Sequence, residues 1–286
     1  MKAYVRYLIF VFFFSYSLSL KAQINISESM NEGGDFYVGD VFGKHDYFLH
    51  TNVKLKSYLI MQTEVTYSLY QKVYAWATAN GYNFNDGCNG ATYEDCLPPE
   101  RDGGKHPVTN IEWLDTLVFA NALSEMSRLQ PVYRLQNNQP LRINDKSIVF
   151  HINESANGYR LPTLAEWQVA ARGGKAAMKS GTYGDRYSGS NEAEKVAWYP
   201  AFSTANFGTN VVGRLSPNAL GIYDMSGNVS EWVYDSDSFD KVKMYYFCGG
   251  SYLFQATTLA TCDSHSAGFI MPDIGFRLIR SARIEP

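Results

Sequence analysis

The chain has 286 residues and a formal net charge of −3, with 45% hydrophobic, 15% aromatic and only 19% charged residues. That is enough apolar material for a substantial core. The mild acidity argues against nucleic acid and anionic membrane surfaces as partners.

In chain order, Lys2 and Arg6 precede a fourteen-residue run of mostly apolar and hydroxyl residues from Tyr7 to Leu20, and Lys21-Ala22-Gln23 offers a small residue at a cleavage point. This is the layout of a secretory signal peptide over 1–22. The run falls short of the roughly 20 residues that a membrane-spanning helix needs, so no span is expected after cleavage. Losing Lys2, Arg6 and Lys21 takes the formal charge from −3 to −6. No linker, charge run or repeat divides 23–286, which predicts one exported domain in the periplasm, the cell envelope or outside the cell.

Thr66 can cap a helix whose Leu69, Tyr70, Val73, Trp76 and Ala77 share a face, with Gly81 ending it. Asp115 can cap a second, with Leu117, Ala120, Leu123 and Ser124 facing inward and Pro131 beyond its end. Thr163-Leu164-Ala165-Glu166 is a capping box opening a third; Trp167, Ala170 and Ala171 follow, and Gly173-Gly174 stop it. Beyond about residue 180 the chain reads as short strands in long loops, with strand candidates at 242–246 and 276–279. The many aromatic rings are read as core, and a sugar-stacking surface is the sharper alternative.

The four cysteines, an even number in an exported chain, suggest disulfides. Of the three possible connectivities the most local joins Cys88 to Cys96, tethering a Gly/Asn/Asp-rich loop, and Cys248 to Cys262. Buried free thiols at Cys248 and Cys262 stay open as an alternative. With no CxxC and no ligand spacing among the histidines, a thiolate metal site is not expected. Cys262 and His265, three apart, are more simply a disulfide half and a loop histidine than a nucleophile pair. Arg160, Arg172 and Arg277 are expected to pair with buried carboxylates.

The densest chemistry lies in Gly221-Ile222-Tyr223-Asp224-Met225-Ser226-Gly227-Asn228-Val229-Ser230-Glu231-Trp232. Asp224, Asn228 and Glu231 place three oxygen-bearing side chains around a glycine, which suits a hard cation. A purely structural reading, in which Asp224 and Glu231 cap turns without an ion, also stands. No phosphate loop or nucleophile elbow occurs.

Taken in order, Gly33-Gly34-Asp35-Phe36-Tyr37-Val38-Gly39, Thr63-Glu64-Val65-Thr66, His106-Pro107-Val108 with Trp113, Tyr159-Arg160-Leu161-Pro162-Thr163 with Glu166-Trp167, Ala170-Ala171-Arg172-Gly173-Gly174, Tyr187 to Asn191 with Val196-Ala197-Trp198-Tyr199, the 221–232 segment, Gly249-Gly250-Ser251-Tyr252 and Gly275-Phe276-Arg277-Leu278 resemble the sulfatase-modifying factor family. This is the family of the formylglycine-generating enzyme, and the resemblance runs from Gly33 to Arg280.

It implies an irregular α+β fold related to C-type lectins, with bound Ca2+ held by the side chain at Asp224, the carbonyls of Gly227 and Val229, and the Glu231 carboxylate. A second calcium site looks incomplete: Asn206-Phe207 resemble its first half, but 208–214 supply no carboxylate. Formylglycine-generating members hold copper between two cysteines, at the positions of Phe254 and Leu259 here. Neither side chain can replace a thiolate at Cu(I), so copper is not expected and no catalytic residue is assigned. Ser230 also replaces a family tryptophan. The resemblance therefore implies a non-catalytic binding or envelope-assembly module with a protein or glycan partner; the alternative is a metal-dependent oxidoreductase with an altered site. Residues 82–106 and 253–274 depart most from the family.

Overall fold

The computed structural model describes residues 24–39, 51–92, 95–200, 208–254 and 258–282. The predicted signal segment and Asn206-Phe207 lie outside them. The fold is α+β, with helices α1 (Tyr67–Thr78), α2 (Trp113–Met126), α3 (Leu164–Ala171), α4 (Gly174–Ser180) and the single turn α5 (Ala193–Val196).

As predicted, Thr66 caps α1, its side chain accepting from the Leu69 amide. The start of α2 differs from the prediction. Its N-cap is Glu112, and Asp115 is the third helical residue, whose carboxylate accepts from the Glu112 amide at 2.9 Å. The acidic residue thus completes a reciprocal box from inside the helix. Helix α2 is buried on every side from Trp113 to Ser124. Its polar members have internal partners: Asn121 Nδ2 donates to the Tyr133 and Leu141 carbonyls, and Ser124 donates to the Ala120 carbonyl.

The Thr163–Glu166 capping box is present on α3. Gly173, at φ 82°, ends that helix as expected, but α4 starts at the next residue, so the two glycines make a corner between helices.

Two four-stranded sheets organise the rest. In the first, Tyr58–Met61 lies between Glu28–Asn31 and Ile279–Ser281, and Tyr159–Arg160 pairs with the far side of Ile279–Ser281, all antiparallel. In the second, Val242–Cys248 lies between Cys262–Ser266 and Ser230–Phe239, both antiparallel to it, and Ile274–Gly275 runs parallel to Ser230–Phe239. The strand predicted at 242–246 is therefore present. The one predicted at 276–279 is divided: Ile274–Gly275 belongs to one sheet and Ile279–Ser281 to the other. Between them the backbone crosses over, the Phe276 carbonyl accepting from the Val65 amide and the Leu278 carbonyl from the Met61 amide. This crossing carries Arg277 inward.

The main core packs α1 and α2 against both sheets through aromatic contacts, including Tyr70 on Phe119 and Trp113 on Tyr245. A second cluster gathers Trp167, Met225, Tyr58, Ile60, Cys248 and Cys262. Core packing thus accounts for many of the rings. Both local disulfides, Cys88–Cys96 and Cys248–Cys262, are formed.

Candidate functional site

The 221–232 segment is a turn-rich loop running into the strand Ser230–Phe239. Asp224, Gly227 and Asn228 all take left-handed backbone angles. At Gly227 a Cβ would collide with the Trp198 carbonyl, which is why glycine stands there. The loop delivers Asp224, Asn228 and Glu231 into the interior, where they meet Glu64 from the 63–66 segment and Arg277 from the crossover.

Glu231 and Arg277 form a two-pronged ion pair, Nε to Oε2 at 2.7 Å and Nη2 to Oε1 at 2.6 Å, with the side chains 1% and 0% exposed. Trp167 Nε1 also donates to Glu231 Oε2 at 2.8 Å. The guanidinium donates further to the Met61 and Tyr223 carbonyls. Burial pulls the Arg277 pKa down, but the Glu231 carboxylate outweighs it and the net direction is upward.

The other two carboxylates are placed differently. Asp224 Oδ2 accepts from the Gly213 amide at 2.6 Å, and Glu64 Oε1 accepts from Asn228 Nδ2 at 3.0 Å. Asn228 is itself pinned by the Asn210 amide at 2.8 Å. Asp224 Oδ1 and Glu64 Oε2 are buried without a hydrogen-bond partner. Burial, followed by the neighbouring Asp224 charge, pushes the Glu64 carboxyl well above its usual range, and burial also raises Asp224.

Among the described residues, no three or more His, Cys, Asp or Glu side chains are placed to hold a metal ion together. The oxygen chemistry at Asp224 nevertheless suits a hard cation assisted by backbone carbonyls. Glu231 suits one less well, because Arg277 and Trp167 engage both its oxygens. Glu64 was not singled out from the sequence as a site residue; a lone acidic residue ahead of a helix cap gives no such signal.

Phe254 is 57% exposed and Leu259 is 2% exposed, and neither carries a thiol. Cys262 is tied to Cys248 across paired strands, and His265 stacks on Phe269 at 3.4 Å between ring centroids, so the two form no nucleophile pair. Ser251 donates to Asp273 Oδ2 at 2.6 Å. Of the three arginines, Arg277 pairs with Glu231 and Arg160 with Glu166 as expected. Arg172 donates to the Gly39 and Tyr183 carbonyls.

Residues 21–282 match the family model described as a sulfatase-modifying factor enzyme 1-like domain. The chain belongs to the sulfatase-modifying factor family. The crystal structure of CarF superposes on it with a TM-score of 0.84 at 53% identity, covering 90% of this chain and 99% of CarF. The chaperone protein LppX of Paenibacillus barcinonensis is 34% identical over 204 residues, 63% of this chain and 71% of LppX. The formylglycine-generating enzyme of Mycobacterium tuberculosis is 41% identical, but over only 82 residues, 27% of each chain.

Proposed function

We propose that this protein is an exported, non-catalytic member of the sulfatase-modifying factor family: a calcium-stapled module that binds a protein or glycan in the cell envelope or outside the cell. The single observation behind this reading is the fate of the cysteines. Phe254 and Leu259 stand where a Cu(I) centre needs thiolates, and all four cysteines are bound in disulfides. Disulfides also accord with an oxidising compartment. Among the described residues no helix is long and apolar enough to cross a membrane. LppX is named a chaperone, which favours a protein partner.

In this reading calcium joins the 221–232 loop to the interior, with Asp224 and the carbonyls of Gly227 and Val229 among its donors, and supplies rigidity. The test is metal content. The chain recovered from an exporting host is exposed to calcium, copper and iron together, dialysed exhaustively and analysed. About one calcium per chain is expected, as for a single oxygen-ligand site, with a mature N-terminus near residue 23. Stoichiometric copper or iron, with oxygen uptake on a cysteine peptide, would overturn the proposal.

A further inference from the structure

We infer that the cleft between the Lys54–Tyr58 corner and the Ile152–Gly158 loop holds an extended acidic segment of a partner protein, added as a strand to Thr51–Leu55. The inference rests on the reading of this chain as a binding module, and it gives that module a site and a class of ligand.

The cleft has a volume of about 820 Å3, within the roughly 300–1,000 Å3 usual for ligand sites. Val132, Ala156 and Leu161 line it although they are almost completely buried, which gives it an apolar floor. Exposed Lys54 and Lys56 stand on the corner and exposed Glu154 on the loop. Arg160 and Glu166, also in the lining, neutralise each other through two contacts at 2.7 Å. The lining therefore carries a net charge of +1, from Lys54, Lys56 and Arg160 against Glu154 and Glu166, on a chain whose formal charge is −3. Among the described residues the lysines held in ion pairs are Lys146, Lys175 and Lys195. Lys54 and Lys56 are unpaired, although Asp35 is the register partner of Lys54.

The backbone beside these lysines is that of an unfinished sheet. Gly34–Val38 and Thr51–Leu55 form a two-stranded antiparallel pair, and no third strand joins Thr51–Leu55 among the described residues. The outer N–H and C=O groups of such an edge are a template for another strand. Val53 and Leu55 pack against the cluster of Phe36, Val38 and Val169, while Asn52 and Lys54 are exposed. A strand laid alongside alternates in the same way. Its apolar side chains continue the inner face, and its carboxylates fall beside Lys54 and Lys56, where opposite charges on paired strands attract. Lysines on an edge also guard against unwanted pairing. That role needs no apolar cleft beside them, and it turns away cationic strands while admitting an acidic one.

The experiment uses the full exported chain and short fluorescein-labelled peptides, read by fluorescence anisotropy. One set alternates Asp or Glu with Val, Leu or Phe; a second carries Lys in place of every acidic residue; a sulfated oligosaccharide is the third probe. Members of the acidic set should bind, and a benzophenone placed in them should cross-link to residues 54–58 or 152–158. Methylating alternate backbone amides of the peptide should abolish binding in one register and spare it in the other. Reversing both lysines, Lys54→Glu with Lys56→Glu, should leave Tm unchanged and weaken binding about tenfold or more, the sum of two exposed ion pairs lost and two repulsions gained. Failure of the whole acidic set to bind, equal binding of the lysine set, cross-links elsewhere or indifference to amide methylation would overturn the inference. Binding of the oligosaccharide alone would also overturn it while keeping the binding-module reading with a glycan as ligand; failure of that reading shows separately, as stoichiometric copper or iron. If the double-reversal variant does not fold, cross-linking and amide methylation decide on the parent.

Discussion

Arg277 is the residue on which the interior depends most, since a guanidinium with no exposure tolerates no missing counter-charge. Glu231→Ala should therefore cost about 3–5 kcal/mol, the range for breaking a buried pair from one side. Urea denaturation measures this, from the midpoint and slope. A second ion pair sets acid stability. Burial works against ionisation of Glu166, but the two hydrogen bonds and charge of Arg160, both contacts at 2.7 Å, with help from Thr163, bring its carboxyl below the usual range. A lowered folded pKa means that the stabilisation is present above the unfolded value of about 4.3 and disappears as pH falls through the folded value. Glu166→Gln should cost about 2 kcal/mol near neutrality, the scale of a hydrogen bond to a charged group, and nothing below that window. A loss of equal size at both ends of a pH series would show that Glu166 acts through shape alone.

At the scale of elements, the strands Val242–Cys248 and Cys262–Ser266 are joined where a clamp restrains them most. Cys248 and Cys262 are register partners, and the chain between them carries both Phe254 and Leu259. Replacing both cysteines with alanine should cost about 3 kcal/mol, as loop entropy predicts for a closure of this length, read from the urea midpoint and slope. A midpoint unchanged from the parent would mean that the strand pairing suffices. Which elements could be read from sequence follows from the range of the forces that make them. The Thr66 cap and the Thr163–Glu166 box are local and were readable from residues three apart. The start of α2 was misplaced because Asp115 serves equally well as a cap or as the inner partner of one, and only the packing of Trp113 settles where the first turn begins. The strand expected at 276–279 failed for a related reason: its apolar pattern is real, but two sheets share it. Glu64 is not legible as a site residue because the side chain that donates to its carboxylate, Asn228, is 164 residues away, whereas Asp224 and Glu231 share one dense motif.

Across the whole molecule, the order of the motifs carried the fold further than periodicity could, since the loops from Gly181 onward have no repeating pattern for apolar burial to impose. What closes the structure is the return of the C-terminal segment to the beginning of the chain. Ile279 pairs with Ile60, Arg280 forms an ion pair with Glu28, and Arg277 reaches Glu231 from the same crossover. A chain ending at residue 276 would lose Leu278 and Ile279, both fully buried and each contributing about 1.5–3 kcal/mol. It would also leave Glu231 without its counter-charge, a further cost of about 3–5 kcal/mol. Together these approach the whole stability of an ordinary domain, about 5–15 kcal/mol. The shortened chain should thus show no cooperative thermal transition, while a chain ending at residue 282 keeps one. Cooperative melting of the shorter chain within a few degrees of the longer would mean that the first sheet is an accessory to the core, and that the Arg277 crossover follows the fold instead of closing it.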